Sequence, residues 1–140
     1  AIGAALALPE SGAVCFSGDG SLLMNVQELA TLAELRANVK IIVLDNGGLG
    51  MVRQQQTLFY DERHHGSRYQ RPPSLCAIAE AFGVPAVDLG TTSDPHTALR
   101  QALAQAGPML IRVPVAAEAM VLPMVRPGAA NIDAICEAMP

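Results

Sequence analysis

The sequence predicts an α/β domain built on a mostly parallel sheet. Four short apolar runs, at 13–17, 40–44, 84–88 and 109–113, are continuous rather than alternating, as in strands covered on both faces. Stretches of helical period separate them, so strand and helix alternate. Two of the runs end in polar, glycine-bearing turns, the place where open α/β sheets gather ligands.

Taken in order, Ala1–Leu8 reads as a Gly- and Ala-rich helix suited to close packing and cut from a longer chain. It lacks the basic start of a signal peptide and is too short to span a bilayer. Pro9-Glu10-Ser11-Gly12 turns the chain into the first strand. Asn25–Arg36 carries Val26, Leu29, Leu32, Ala33 and Leu35 near helical period. After the second strand, Leu49–Tyr60 has helical spacing, with Gln54-Gln55-Gln56 inside it. Asp61–Pro73 is polar and reads as a mobile loop. Ser74 is an N-cap for a helix through Phe82, with Gly83 closing it. Ser93-Asp94-Pro95 opens a helix from His96 to Gln105, with Gly107 past its end. The tail after Pro114 is proline-punctuated and is expected to wrap the domain before a short helix at Ile132–Ala138.

A length of 140 residues is one domain, 1–140, with enough chain to bury a core. The chain is 51% hydrophobic and only 16% charged, which points to a surface partly covered by another domain or subunit. Net charge is −4 and the nine Lys and Arg are scattered, so the electrostatic footprint of a nucleic-acid binder is absent and no membrane partner is expected. Cys15, Cys76 and Cys136 have no metal-type spacing, and the first two sit in apolar contexts as small core residues. This cysteine usage fits a reducing cytoplasm.

The chemistry concentrates in two turns. Gly18-Asp19-Gly20-Ser21 follows the first strand, and Asp45-Asn46-Gly47-Gly48 follows the second. Asp19 offers a carboxylate and Asn46 a side-chain carbonyl, hard oxygen donors for Mg²⁺ or Ca²⁺, with the Gly48 carbonyl as a third protein ligand. Gly18 and Gly20 leave room for backbone to approach a phosphate, and Ser21 with its following amides can donate to anionic oxygens. Asp, Asn and Gly also dominate ordinary turns for local reasons. Their matched placement on two strands joined by one helical stretch favours a paired site.

The run GDGSLLMNVQELATLAELRANVKIIVLDN resembles the thiamine-diphosphate motif, which opens on GDG and closes on an Asn after a hydrophobic strand. GGLGMVRQQQTLFY and PMVRPGAAN resemble, more narrowly, the large catalytic subunit of acetolactate synthase. The similarity runs from Ala1 to about Asn131. It implies a three-layer α/β/α thiamine-diphosphate-binding fold, truncated at its N-terminus, as the C-terminal domain of a multidomain enzyme. It implies that Asp19, Asn46 and the Gly48 backbone bind Mg²⁺. Gly18, Gly20, Ser21, Leu49, Gly50 and Met51 would join them around thiamine diphosphate. Met51, Val52 and Gln55 would stand on the substrate side.

The implied reaction decarboxylates pyruvate and condenses it with a second 2-oxo acid, pyruvate or 2-oxobutyrate, for branched-chain amino-acid synthesis. The implied enzyme is a homodimer or homotetramer, with a regulatory subunit in some members and FAD, where used, on a different domain. The carboxylate that activates the cofactor belongs to an N-terminal domain. No catalytic residue is therefore expected here (Glu10 and Glu28 are not candidates), and the fragment alone is expected to be inactive. Other thiamine-diphosphate decarboxylases or carboligases, and a non-catalytic Mg²⁺-diphosphate module, stay open as alternatives.

Two positions depart from the family pattern. Asp45 stands where an Asn is usual, and Gln55 where many members carry Trp. Elsewhere, His64-His65 reads as solvated loop with a lid role open, and His96 as surface. Arg53 and Arg68 are read either as solvated or subunit-facing groups or as contacts to an anionic substrate. Met120, Met124 and Met139 read as tail packing, and Asp88 as a turn at a strand end.

Overall fold

The computed structural model describes residues 1–137. Its elements run α1 (Ile2–Ala7), β1 (Ala13–Gly18), α2 (Asp19–Met24), α3 (Glu28–Leu35), β2 (Val39–Asp45), α4 (Gly50–Phe59), α5 (Leu75–Ala81), β3 (Ala86–Asp88), α6 (Pro95–Ala104) and β4 (Met109–Pro114). The four strands form one all-parallel sheet in the order β1-β2-β4-β3. One face buries Leu22, Leu29, Leu32, Val39, Val43, Leu75, Ala79 and Leu110 under α1, α2, α3 and α5. The other packs Ile42, Met109 and Ile111 against Ala102 of α6. Helices on both faces make the three-layer α/β/α arrangement that continuous apolar strands call for.

All four strands lie where the apolar runs placed them. β3 is shorter than 84–88 because Pro85 has no N–H to give the ladder; pairing starts at Ala86, while the Pro85 carbonyl accepts from Leu110. Ser74 caps α5, its hydroxyl accepting from the Ala77 amide at 3.3 Å, and Gly83 follows at φ +83°. Asp94 caps α6, accepting from the Thr97 amide at 3.0 Å.

Two helix expectations are corrected. The helix expected over Asn25–Arg36 forms as Glu28–Leu35, starting three residues later. Helix begins at once at Asp19, breaks at 25–27 and resumes at Glu28. Asn25 leaves helical geometry and its side-chain amide donates to the Ser21 carbonyl at 3.3 Å, competing with the helical ladder. In the tail, only a 3-10 turn at Asn131–Asp133 forms in place of the helix at 132–138. Met124 and Ile135 exchange both backbone hydrogen bonds, at 2.9 and 2.8 Å, which holds that segment extended. Ala138 and Met139 lie outside the described residues.

Two buried polar side chains fasten the frame. Lys40, on β2, is 4% exposed and donates to Asn38 Oδ1 at 2.8 Å and to the carbonyls of Gln105 and Gly107, tying the strand to the end of α6. Burial lowers its ammonium pKa. Gln54, on α4, is also 4% exposed; it donates to the Val121 carbonyl and accepts from the Val121 amide, both at 2.8 Å. With Arg53 donating to the Ala117 carbonyl at 3.0 Å and pairing with Glu118 at 3.4 Å, it straps the tail to α4. The structure therefore places Arg53 in tail attachment.

Candidate functional site

Strands β1 and β2 are neighbours in register, Gly18 opposite Leu44, so the residues just beyond their carboxyl ends meet. Asp19 begins α2 and is 4% exposed. Its two oxygens accept from different turns: Oδ1 from the Gly20 amide at 2.8 Å, Oδ2 from the Gly48 amide at 2.9 Å. The carboxylate thus joins the two turns that the sequence singles out. Asn46 lies in the second turn, between Asp45 and Gly47. Its Oδ1 is buried and has no hydrogen-bond partner among the described residues. A buried carbonyl oxygen without a donor costs about 1–3 kcal/mol unless something else satisfies it. A hard cation is a chemically apt partner, and the nearby carboxylate completes a donor set of the kind Mg²⁺ takes. Among the described residues no cluster of three or more His, Cys, Asp or Glu side chains provides a metal cage elsewhere.

The glycines show how tightly the turns close. A Cβ on Gly50 would run into Asn46 Nδ2, and one on Gly48 into the Ser67 carbonyl oxygen. A Cβ on Gly20 would fall 2.6 Å from Leu49 Cδ2 and 3.2 Å from the Tyr69 hydroxyl. The space at Gly20 is therefore filled by protein, and its amide is already held by Asp19. Gly18 is open, with only Ser21 Oγ nearby at 3.9 Å, and Ser21 is exposed. Room for an anion lies at Gly18 and Ser21 more than at Gly20. Leu49 opens α4 next to this turn, Gly50 and Met51 follow, and Met51 is half exposed. Val52 and Gln55 face a cavity of about 440 Å³ shared with Gln56, Tyr60 and Arg63.

The stretch 61–73 has neither helix nor strand, as expected, yet it is anchored at the site. The Leu49 amide donates to the Ser67 carbonyl at 2.8 Å and the Tyr69 amide to the Gly47 carbonyl at 3.0 Å. Ser67 is 3% exposed, and Arg68 pairs with Gly48 in an isolated bridge. Within this loop His64 and His65 stay exposed, His64 Nε2 lying 2.9 Å from the Thr57 hydroxyl. His96 is exposed on α6.

The sequence reading missed an ionic network behind the second turn. Arg112, on β4, donates from Nε to Asp45 Oδ2 at 2.6 Å and from Nη1 to both oxygens of Asp88 at 3.0 and 2.9 Å. Asp45 Oδ1 accepts from the Gly47 amide at 3.0 Å. Asp88 also accepts from the Gly90 amide at 2.8 Å, so it is a turn residue and an ion-pair partner together. The available signal was a lone arginine inside an otherwise apolar strand, Met109–Pro114.

Electrostatics divides the two neighbouring carboxyls. Burial, reinforced by Asp45, raises the Asp19 pKa above the ordinary carboxylate value against the pull of the Gly20 and Gly48 amides. Burial also acts on Asp45, but the Arg112 guanidinium and the Gly47 amide outweigh it and hold Asp45 low. Burial and the two carboxylates raise the Tyr69 phenol. Asp45 is thus paired with an arginine, while among the described residues no cationic side chain pairs with Asp19.

Comparison with known proteins bears on the same region. A family profile described as "Thiamine pyrophosphate enzyme, C-terminal TPP binding domain" matches residues 1–113. The acetolactate synthase isozyme 1 large subunit of Escherichia coli (strain K12) is 47% identical over 137 residues, which is 98% of this chain and 24% of that protein. The acetolactate synthase large subunit of Pyropia yezoensis is 41% identical, across 100% of this chain and 24% of its own length. The isozyme 2 large subunit of Escherichia coli (strain K12) is 41% identical over 133 residues, 95% of this chain. The chain thus spans about a quarter of the length of the curated relatives it matches.

Proposed function

Because the chain belongs to the thiamine pyrophosphate enzymes, as a C-terminal TPP binding domain, we propose that it holds the Mg²⁺-diphosphate end of thiamine diphosphate in an acetolactate synthase. Residues 1–140 are read as that one domain. Asp19 and Asn46 side chains and the Gly48 backbone carbonyl are the metal ligands. Gly18, Ser21, Leu49, Gly50 and Met51 line the cofactor, Gly20 supports them from behind with its amide on Asp19, and Met51, Val52 and Gln55 face the substrate. The observation that carries the proposal is the buried, partnerless Asn46 Oδ1 in the turn that Asp19 holds through the Gly48 amide.

Thiamine diphosphate supplies the decarboxylation and carbon–carbon bond-forming chemistry when bound. The residues here anchor and orient its charged end. Asp19 brings negative charge to the cation and fixes the second turn, the glycines keep the two turns in contact, and the Gly18–Ser21 segment leaves space for anionic oxygens. Pyruvate and a second 2-oxo acid, pyruvate or 2-oxobutyrate, are the proposed substrates. The activating carboxylate and any FAD lie on other domains of the whole enzyme, which is proposed to be an oligomer acting in the cytoplasm with or without a regulatory subunit. Among the described residues no helix is long and apolar enough to cross a membrane.

Calorimetry of thiamine diphosphate binding to the whole enzyme, with and without Mg²⁺, tests this reading. Wild type should bind in a Mg²⁺-dependent manner, and Asp19→Ala and Asn46→Ala should each lose that dependence. Unchanged metal-dependent binding in both variants would remove Asp19 and Asn46 from the site.

A further inference from the structure

Arg112 lies in β4, between β2 and β3, in register with Val43 on one side and Asp88 on the other. Its guanidinium reaches both neighbours at their carboxyl ends. Nε takes Asp45 Oδ2 at 2.6 Å, and Nη1 takes Asp88 Oδ2 at 2.9 Å and Oδ1 at 3.0 Å. Asp88 is fixed in turn by the Gly90 amide. The other Asp45 oxygen accepts from Gly47, whose φ of +74° sets the turn that carries Asn46 and Gly48. Among the described residues, both donors to the Asp45 carboxylate thus direct it toward Arg112 and its own turn. Yet it lies next in sequence to Asn46, and because Gly18 is the register partner of Leu44, Asp19 and Asp45 follow directly at the ends of neighbouring strands. Released from Arg112, it would be a second carboxylate free to turn toward the cation.

We propose that Arg112 is a positioning residue that keeps Asp45 bound to the Gly47 amide and out of the cation's coordination shell, so that the Asp19–Asn46 site favours Mg²⁺ over Ca²⁺. The inference rests on the cation site proposed above and adds to it a residue that sets cation preference. Mg²⁺ demands near-ideal octahedral geometry with few ligands, whereas Ca²⁺ accepts six to eight oxygens in irregular arrangements and tolerates an added carboxylate. Groups bonded directly to metal ligands are worth about 10–100-fold in affinity in known sites, and Arg112 acts on the proposed ligands Asn46 and Gly48 through Asp45, which holds their turn by the Gly47 amide. Here the loss of that support should fall on the ion that needs the stricter geometry.

The test is calorimetric titration of thiamine diphosphate into the whole enzyme, with Mg²⁺ or with Ca²⁺, giving the concentration of each ion needed for half-maximal binding. Arg112→Gln should weaken Mg²⁺ by about 10-fold or more and Ca²⁺ far less. The double variant Arg112→Gln/Asp45→Asn should return the Mg²⁺/Ca²⁺ ratio to within about twofold of wild type. Asn at 45 can still accept from Gly47 but brings no charge to the ion. A merely structural role would weaken both ions together and would not be rescued by Asp45→Asn; either result overturns the inference. If Arg112→Gln does not fold, Asp88→Asn replaces it. That variant loosens the far end of Arg112 and should shift the ratio in the same direction by a smaller factor, and an unchanged ratio overturns the inference. Wild-type binding indifferent to both ions would defeat the cation site itself. Normal Mg²⁺ dependence with an unmoved ratio in the variants would defeat only the role of Arg112.

Discussion

Gly50 shows how a single missing carbon supports the site. A Cβ there would collide with Asn46 Nδ2, while Gly50 itself sits in the first turn of α4, where alanine is otherwise a better helix former. Gly50→Ala should therefore leave thermal stability close to wild type and weaken Mg²⁺-dependent thiamine diphosphate binding by about 10-fold or more, because it displaces a proposed ligand. Melting and calorimetry on the same preparation check both halves. Lys40 makes the opposite case, a buried charge whose work is structural. Lys40→Met should cost about 1–3 kcal/mol in denaturant unfolding, because it strands the carbonyls of Gln105 and Gly107. Gln55 lines its cavity, at a position where many members of the resembling family carry Trp. Less apolar contact there should weaken discrimination between pyruvate and 2-oxobutyrate, since one methylene is worth about 1–3 kcal/mol in an apolar pocket. A competition assay on the whole enzyme with Gln55→Trp should move the product ratio toward 2-oxobutyrate, and an unchanged ratio would refute it. At this scale Asp19 and Asn46 could be proposed from the sequence because their chemistry and spacing are local. Arg112 could not, since its partners lie 67 and 24 residues away.

The helices separate what local signals can decide from what they cannot. α5 and α6 begin at the caps their sequences advertise, Ser74 and Asp94. Hydrogen bonds from the Thr97 amide and hydroxyl hold the Asp94 carboxyl below its usual pKa. The folded pKa is thus lower than the unfolded one, so the cap's contribution is complete above the unfolded value and is lost as pH falls through the folded one. Asp94→Ala should lower the melting temperature by a constant amount from neutral pH down to about pH 5. The gap should then shrink below about pH 4, and a gap independent of pH would contradict the assignment. The later start of α3 escaped the sequence because Val26 falls on its apolar stripe; the chain instead turns at 25–27, where the Asn25 side chain bonds back to the Ser21 carbonyl. The tail is similar. Helical spacing near its end yielded to pairing between Met124 and Ile135 and to the grip of Gln54 on Val121.

The sheet as a whole carries one face only partly covered. α6 shields Ile42 and Ile111, but Val14 and Phe16 of β1 and Leu44 of β2 stand bare beside them, Phe16 at 70% exposure. Register puts these side chains on one side of the sheet, Phe16 opposite Ile42 and Gly18 opposite Leu44. Such a strip on an edge strand invites association. Expressed alone, the 140-residue chain should sediment as oligomers or aggregate, and Phe16→Glu should shift it toward monomer. A monodisperse wild-type monomer would count against this. The same chain alone should form no acetolactate from pyruvate, since the activating carboxylate is assigned to another domain.

The sequence by itself determined the strands and most helix starts, and it nominated the two turns proposed as the site, because each rests on neighbours a few residues apart: apolar runs, caps, glycines and hard oxygen donors. Only the tertiary structure decided that Asp19 grips the Gly48 amide, that Asn46 Oδ1 is buried without a donor, that loop 67–69 seals the second turn and that Arg112 gathers Asp45 and Asp88. Those contacts join residues distant in the chain. They exist because parallel strands place their carboxyl ends side by side, and no local pattern encodes which strand will lie beside which.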